Sequence, residues 1–347
     1  MDPAALAVAG GVTFCCPSCR GPVTLDAVAY HCRGCQRRYP IVCGIPDFRL
    51  SPDPYISFED EYDKARRLSD EAERCSFEAL LHFYWTITPD VPRPMAERFI
   101  RYALTAEERA DPCLATMDER AGDARAGRQW TGARCLEVGC GTGGFLMATR
   151  KRFGALVGAD IALRWLVIAR KRLEGADSNL TLVCCSAEAL PFADGAFDAV
   201  VGLHLLEHAS DPQAVLSDTV RILAANGWCY FSTPNRFSLG PEPNVRVWGV
   251  GFVPRSVASR YVMLWKGIAY RNIRLLSSAE LERMLSRSGL RTWSMSPAPL
   301  AKCEQQTLPG PVQRIVRLYH RLREVPIVRH LLLAIGPLLQ VVARKTA

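Results

Sequence analysis

Between about Arg128 and Ser296 the chain alternates two kinds of run, and nothing else in it restricts the fold so strongly. "RCLEVGC", "ALVGAD", "LTLVCC", "FDAVVGL" and "WCYFST" are near-continuous apolar stretches of strand length. The segments between them carry apolar residues at helical spacing. Strands without polar alternation are buried on both faces, and alternation with helices brings successive strands in parallel. The pattern predicts an α/β fold with a doubly wound, Rossmann-like sheet. "SSAELERMLSRSGL" delimits its own helix, with Ser277 as N-cap, Glu280 three residues on and Gly289 at the C-terminal stop.

The first strand runs into "CLEVGCGTGGF", Cys135 to Phe145, which fits two templates. Gly139, Gly141 and Gly144 match the G-x-G-x-x-G dinucleotide fingerprint, whereas Glu137, Gly139, Gly141 and Gly143 match a loop that holds S-adenosylmethionine. Charge separates the two. A carboxylate at the strand end opposes a pyrophosphate and favours a ligand carrying an ammonium and a sulfonium. Asp160, 23 residues after Glu137, ends the second strand where a carboxylate binds ribose hydroxyls. Both ligands contain ribose, so Asp160 supports an adenosine site without choosing between them, and helix N-capping is its alternative role.

Downstream, "CCSAEALPFADGAFDAVVGLHLLEHASDP" followed by "LAANGWCYFSTPN" resembles the class I S-adenosylmethionine-dependent methyltransferases. The resemblance is to their small-molecule branch, which includes the ubiquinone and menaquinone methyltransferases, and it covers roughly Arg134 to Asn235. It implies a methyltransferase sheet with S-adenosylmethionine as cofactor. Glu137, Gly139, Gly141 and Gly143 then face the methionine half, Asp160 the ribose, Ile161 and Ala187 the adenine. Ser186 stands where the family often has Asp, and His204 falls at the boundary between cofactor and acceptor.

Methyl transfer is an in-line displacement in which positioning supplies much of the acceleration, and a hydroxyl acceptor gains from a nearby base. His208 and His204 in "LHLLEH" are the catalytic candidates, His208 first, with Glu207 orienting one of them or lining the pocket. The long, glycine- and proline-rich connection over about 236–272 reads as a lid. Arg236, Arg246, Trp248 and Phe252 are its candidates for an acceptor pocket.

Ahead of this domain, residues 1–50 hold Cys16, Cys19, Cys32 and Cys35 as C-x2-C-x12-C-x2-C. Two tight knuckles offering four thiolates suit a structural Zn²⁺ site with no position left open for water. So small a segment builds little core, and a metal supplies the missing folding energy. With "YPIVCGIPDF" after it, the segment resembles the zinc-ribbon leaders of some bacterial methyltransferases. Cys15 and Cys43 fall outside the quartet, and His31 reads as a surface residue. Residues 51–127 read as a helical cap or linker, the domain proper as 128–300, and 301–347 as a basic amphipathic helical tail. That tail carries eight Lys and Arg against Glu304 and Glu324, most of the chain's net charge of +8.

Fourteen cysteines without an export-type leader argue for reduced thiols and a cytoplasmic protein. No apolar run is long enough to span a bilayer, so any membrane contact is peripheral and through the tail. The acceptor expected is a small molecule, lipid or sugar methylated at oxygen. An RNA acceptor, gripped by Arg20, Arg33, Arg37 and Arg38 of the ribbon, is a second reading. It lacks the Asn/Asp-Pro-Pro-aromatic motif typical of base N-methyltransferases. A non-catalytic cofactor-binding scaffold is a third.

Overall fold

The computed structural model describes residues 8–9, 11–121, 130–176, 179–306 and 308–346. At the N-terminus, β1 (Val8–Ala9) and β2 (Val12–Thr13) form a short antiparallel pair. The antiparallel strands β3 (Val23–Leu25), β4 (Ala29–Cys32), β5 (Arg38–Val42) and β6 (Ile45–Pro46) make the ribbon. Four helices follow: α1 (Phe58–Ala72), α2 (Phe77–Thr86), α3 (Arg93–Leu104) and α4 (Ala110–Ala121), with a 3₁₀ turn at Ala106–Arg109. Ser57 and Ser76 start the first two by accepting the Asp60 and Ala79 amide protons, at 3.1 and 3.2 Å.

The body alternates β7 (Arg134–Val138), α5 (Gly144–Thr149), β8 (Ala155–Asp160), α6 (Leu163–Arg172), β9 (Leu180–Cys184), β10 (Phe197–Leu203), α7 (Pro212–Ile222) and β11 (Leu223–Pro234). The lid then carries α8 (Arg255–Lys266), and α9 (Ser278–Arg287) begins at the expected capping box of Ser277 with Glu280. The chain ends with β12 (Thr292–Pro297), α10 (Lys302–Gln306), α11 (Gly310–Leu322), α12 (Pro326–Ile335) and β13 (Leu338–Arg344).

The seven-stranded sheet has the order β12-β13-β11-β10-β7-β8-β9. Strands β7 to β11 pair in parallel, while β13 runs antiparallel between β11 and β12. The strand order reverses at β7, so a crevice opens over the carboxyl ends of β7 and β10. Here the expectation of a helical tail over 301–347 is corrected. Its last segment is a buried interior strand, and the sheet is incomplete without it. "LLQVVAR" after Gly336-Pro337 is itself an apolar strand-like run, masked by the amphipathic helices before it.

The ribbon is not an appendage. Phe14 packs within 5.2–5.7 Å of Phe48, Tyr30 and Phe192, the last from the body. The Phe48 amide donates to the Cys184 carbonyl at 2.7 Å and that of Cys15 to Pro191 at 2.9 Å. Arg20 pairs with Asp218 of α7 at 2.8 Å, which turns one of the four ribbon arginines inward. Ribbon and sheet therefore share one core. The lid instead has a small core of its own around Val245, Val247, Val250, Val262 and Tyr270.

Candidate active site at the strand switch point

A cavity of about 1220 Å³ lies over the carboxyl ends of β7, β8, β10 and β11. Its walls come from the glycine loop, the end of β8, the β10–α7 connection, the α3 end, the lid and α10. Gly139, Gly141, Asp160, Ile161, Ser186, Ala187, His204 and His208 all border it. Glu137 and Gly143 do not border it. Strand alternation turns the Glu137 side chain away from the mouth, beneath the loop, where the residue is 4% exposed and Oε2 has no partner. Gly143 caps α5 with φ +74°, and a Cβ there would press on Ala169 at 3.2 Å. Its role is local packing in a left-handed conformation.

The loop also discriminates between ligands. The amides of Gly139 and Cys140 donate to the Ala159 carbonyl, that of Gly143 to Cys140, and that of Gly141 to Asp160 Oδ2 at 2.8 Å. Four backbone donors that a pyrophosphate would need are thus engaged within the protein. Gly144, the third glycine of the dinucleotide template, has another cause: a Cβ there would lie 2.3 Å from that of Ala106. Two carboxylates flank the loop instead. Burial, and then repulsion from Asp160, raise the Glu137 pKa well above the usual carboxylate value. Burial raises that of Asp160 against the hydrogen bonds from Ala162 and Gly141. A cationic ligand relieves both, so the residues fit a sulfonium cofactor.

Ile161 is held from the ribbon side. Buried Arg49 grips Asp47 through Nε and Nη2 at 2.9 and 2.6 Å and donates to the Ile161 carbonyl at 3.1 Å. Arg164 on α6 bridges Asp53 and Glu61, which fastens the helical cap to the same turn. Ser186, expected at the adenine, donates its hydroxyl proton to Glu188. Glu188 Oε1 in turn accepts from the Ser210 amide at 2.8 Å, so that hydroxyl braces a loop.

His204 follows β10 with φ +53°, a left-handed conformation that costs a β-carbon-bearing residue roughly 1–3 kcal/mol. The strain carries its imidazole over the cavity while its amide still donates to the Ser232 carbonyl at 2.9 Å. Nδ1 lies 3.7 Å from Glu207 Oε1. Glu207 is 1% exposed, and its Oε2 accepts from Thr233 Oγ1 at 2.9 Å. Burial pushes its pKa up to about 8 and lowers that of His204. His208 also borders the cavity, with its pKa lowered by burial and by His204, and among the described residues no carboxylate pairs with it.

Six arginines border the cavity: Arg98, Arg101, Arg109, Arg164, Arg236 and Arg246. Arg236 is braced on the Gly251 carbonyl at 3.0 Å. Trp248 and Phe252, expected beside it, are absent from the wall and point outward. In the ribbon, the sulfurs of Cys16, Cys19, Cys32 and Cys35 all lie within 4.8 Å of one another. A tetrahedral ion with ~2.3 Å metal–sulfur bonds needs sulfurs about 3.8 Å apart. Gly21 and Gly34 leave the room: a Cβ at either would sit 3.3 or 3.5 Å from Cys19 Sγ. The donor set fits a structural metal.

A family model described as a methyltransferase domain matches residues 136–231. Among curated proteins the chain is similar to a ubiquinone biosynthesis O-methyltransferase of Dinoroseobacter shibae. The two are 30% identical over 224 residues, which cover 64% of this chain and 82% of that protein. A protein of the same description from Idiomarina loihiensis is 32% identical over 162 residues, 46% of this chain and 62% of that protein's length. Among solved structures, phosphoethanolamine N-methyltransferase 2 of Haemonchus contortus, in complex with phosphomonomethylethanolamine and S-adenosylhomocysteine, aligns with a TM-score of 0.45. That alignment is 19% identical and covers 64% of this chain and 51% of that one.

Proposed function

This chain belongs to the class I S-adenosylmethionine-dependent methyltransferases, and from that premise we propose that it methylates an oxygen of a large, partly apolar small molecule. The observation that carries the reading is the His204–Glu207 pair, raised on a strained backbone into a cavity too large for the cofactor alone. Sites for a single ligand measure roughly 300–1,000 Å³, so about 1220 Å³ leaves room for a bulky acceptor beside the cofactor. The curated relatives are O-methyltransferases by name, which agrees with oxygen as the nucleophile.

Bound, the cofactor supplies an electrophilic methyl on a sulfonium. Asp160 would hold the ribose hydroxyls, Ile161 would pack on the adenine, and the Ala187 backbone would meet the adenine edge. A cation over the loop would favour ionisation of Glu137 beneath it. His204 accepts the acceptor's hydroxyl proton at Nε2, with Glu207 as the positioning residue on the Nδ1 side. A nearby cation lowers the Glu207 pKa from about 8, so cofactor binding readies the carboxylate to stabilise the imidazolium that forms. Thus His204, not His208, takes the base role. The arginines of the acceptor side suit an anionic group on the substrate. In the ribbon, Cys16, Cys19, Cys32 and Cys35 would hold a structural Zn²⁺ with all four positions taken by thiolates.

The test supplies methyl-labelled S-adenosylmethionine to the purified protein with a host extract separated into lipid, polar small-molecule and RNA fractions. Label in either of the first two supports the reading. Label in RNA overturns it and assigns the exposed Arg33, Arg37 and Arg38 to substrate binding.

A further inference from the structure

Residues 243–279, most of the lid and the start of α9, contain six cationic side chains and no carboxylate. Among the described residues only Arg255 of the six forms an ion pair, with Glu280 at 2.8 Å. The same segment places its largest apolar side chains outward. Helix α8 buries Ala258 and Val262 against the lid's own core, while Leu264 is 83% and Trp265 66% exposed. Trp248 and Phe252 are 64% and 54% exposed. Scattered exposed apolar residues are ordinary, but these are connected. Tyr261 donates its hydroxyl proton to the Trp248 carbonyl at 2.9 Å, and its ring lies 6.2 Å from that of Trp265.

The other side of this patch is the active-site wall. Along 248–252 the chain alternates: Trp248 and Phe252 face out, while Gly249, Val250 and Gly251 line the cavity. The lid is therefore a single layer of chain between solvent and acceptor space. Half-exposed Tyr55 and Tyr102 continue the apolar character along the cavity's rim.

We infer that the lid, through α8 and the Trp248–Phe252 bulge, inserts into the headgroup layer of an anionic lipid bilayer and opens the acceptor cavity toward it. The charge pattern selects this partner. Exposed tryptophan and leucine on a segment that also carries the exposed Arg260, Lys266, Arg271 and Arg274 and no acid match the interface where acyl chains meet anionic headgroups. The tail, expected to make any membrane contact, ends as a sheet strand, while its helices α11 and α12 expose Ile315, Leu318, Ile327 and Leu331 as a second surface that the test compares with the lid. The inference goes beyond the proposed methyl transfer, since lipid binding requires neither cofactor nor acceptor.

Flotation of the full chain with phosphatidylcholine vesicles, with and without phosphatidylglycerol, tests it. Wild type is expected to float with the anionic vesicles and to detach as salt rises. Leu264→Asp with Trp265→Ser, and separately Arg260→Glu with Lys266→Glu, each weaken binding about tenfold or more. All four residues are exposed, so cofactor affinity and melting temperature are expected to stay at wild-type values, which excludes misfolding as the cause. Wild-type flotation by both variants overturns the lid as the contact, and failure of wild type to float overturns the membrane. A dimer that Leu264→Asp dissociates, without vesicle binding, identifies the patch as a contact between copies and likewise overturns the inference.

Discussion

The ribbon and the lid are both additions to the same sheet, and they treat their apolar residues in opposite ways. The ribbon sends Phe14, Tyr30 and Phe48 inward to join Phe192 and Leu190 in one core. The lid keeps a private core and leaves Leu264, Trp265 and Trp248 in solvent. Burial against the body makes the ribbon part of the folding unit, whereas the lid's exposed face is the ground of the inferred membrane contact. The ribbon also reaches the site, because Asp47 and Arg49 at its exit fix the Ile161 turn.

The contrast breaks most visibly at the ribbon. Phe14→Ala is expected to cost about 3–5 kcal/mol, as for other large-to-small core changes, and to lower Tm by on the order of 10 °C. Under the proposed zinc site, chelation is expected to produce a comparable loss, with weaker cofactor binding as Ile161 loosens. Thermal scans with and without chelator, beside cofactor titrations, check both. A ribbon that melts independently while cofactor affinity holds would erase the distinction.

The site between the two regions comes next. His204→Gln is expected to lower kcat by roughly 10²–10⁴ with cofactor affinity retained, and Glu207→Gln by less. The Glu207 carboxyl, held near pKa 8 in the fold, leaves a stability signature as well. Between about pH 4.5 and 8 the unfolded chain ionises this group while the folded chain keeps its proton. The group's contribution to stability therefore falls as pH rises through that window. Melting of the cofactor-free protein across it should flatten in Glu207→Gln; an unchanged profile refutes the buried acid.

Cofactor affinity offers a smaller effect of opposite sign. Asp160 and Glu137 both carry raised pKa values, and a cation prefers them ionised. Affinity for S-adenosylmethionine should rise with pH through their titration, and Asp160→Asn should weaken binding and reduce that slope, as read by calorimetry at several pH values. Smallest of all, Arg317→Glu with Arg321→Glu on α11 is expected to lower vesicle binding by less than the α8 substitutions. A larger loss there returns the membrane contact to the tail.

Much of this was legible in the residues because it depends on local spacing. The apolar runs gave the parallel strands, the C-x2-C pairs gave a cysteine cluster that closes to 4.8 Å, and Ser277 with Glu280 formed its capping box. Other features arise from pairs distant in the chain and leave no local trace. Arg49 meeting Ile161, Arg20 turned to Asp218 and Gly144 pressed on Ala106 are of that kind. Glu207 stood in plain view between the two histidines, but the burial that raises its pKa, against the hydrogen bond from Thr233, comes from the walls around it.

By itself, then, the sequence determined the alternating sheet, the glycine loop with its two acids and the four-cysteine ribbon, since each is written in the spacing of neighbouring residues. Tertiary structure alone decided that "LLQVVAR" completes the sheet, that Glu137 lies beneath the loop, and which lid residues face the cavity or the solvent. A strand's partner, a carboxyl's burial and a side chain's outer face are set by what packs against them, and that packing joins residues the chain itself keeps far apart.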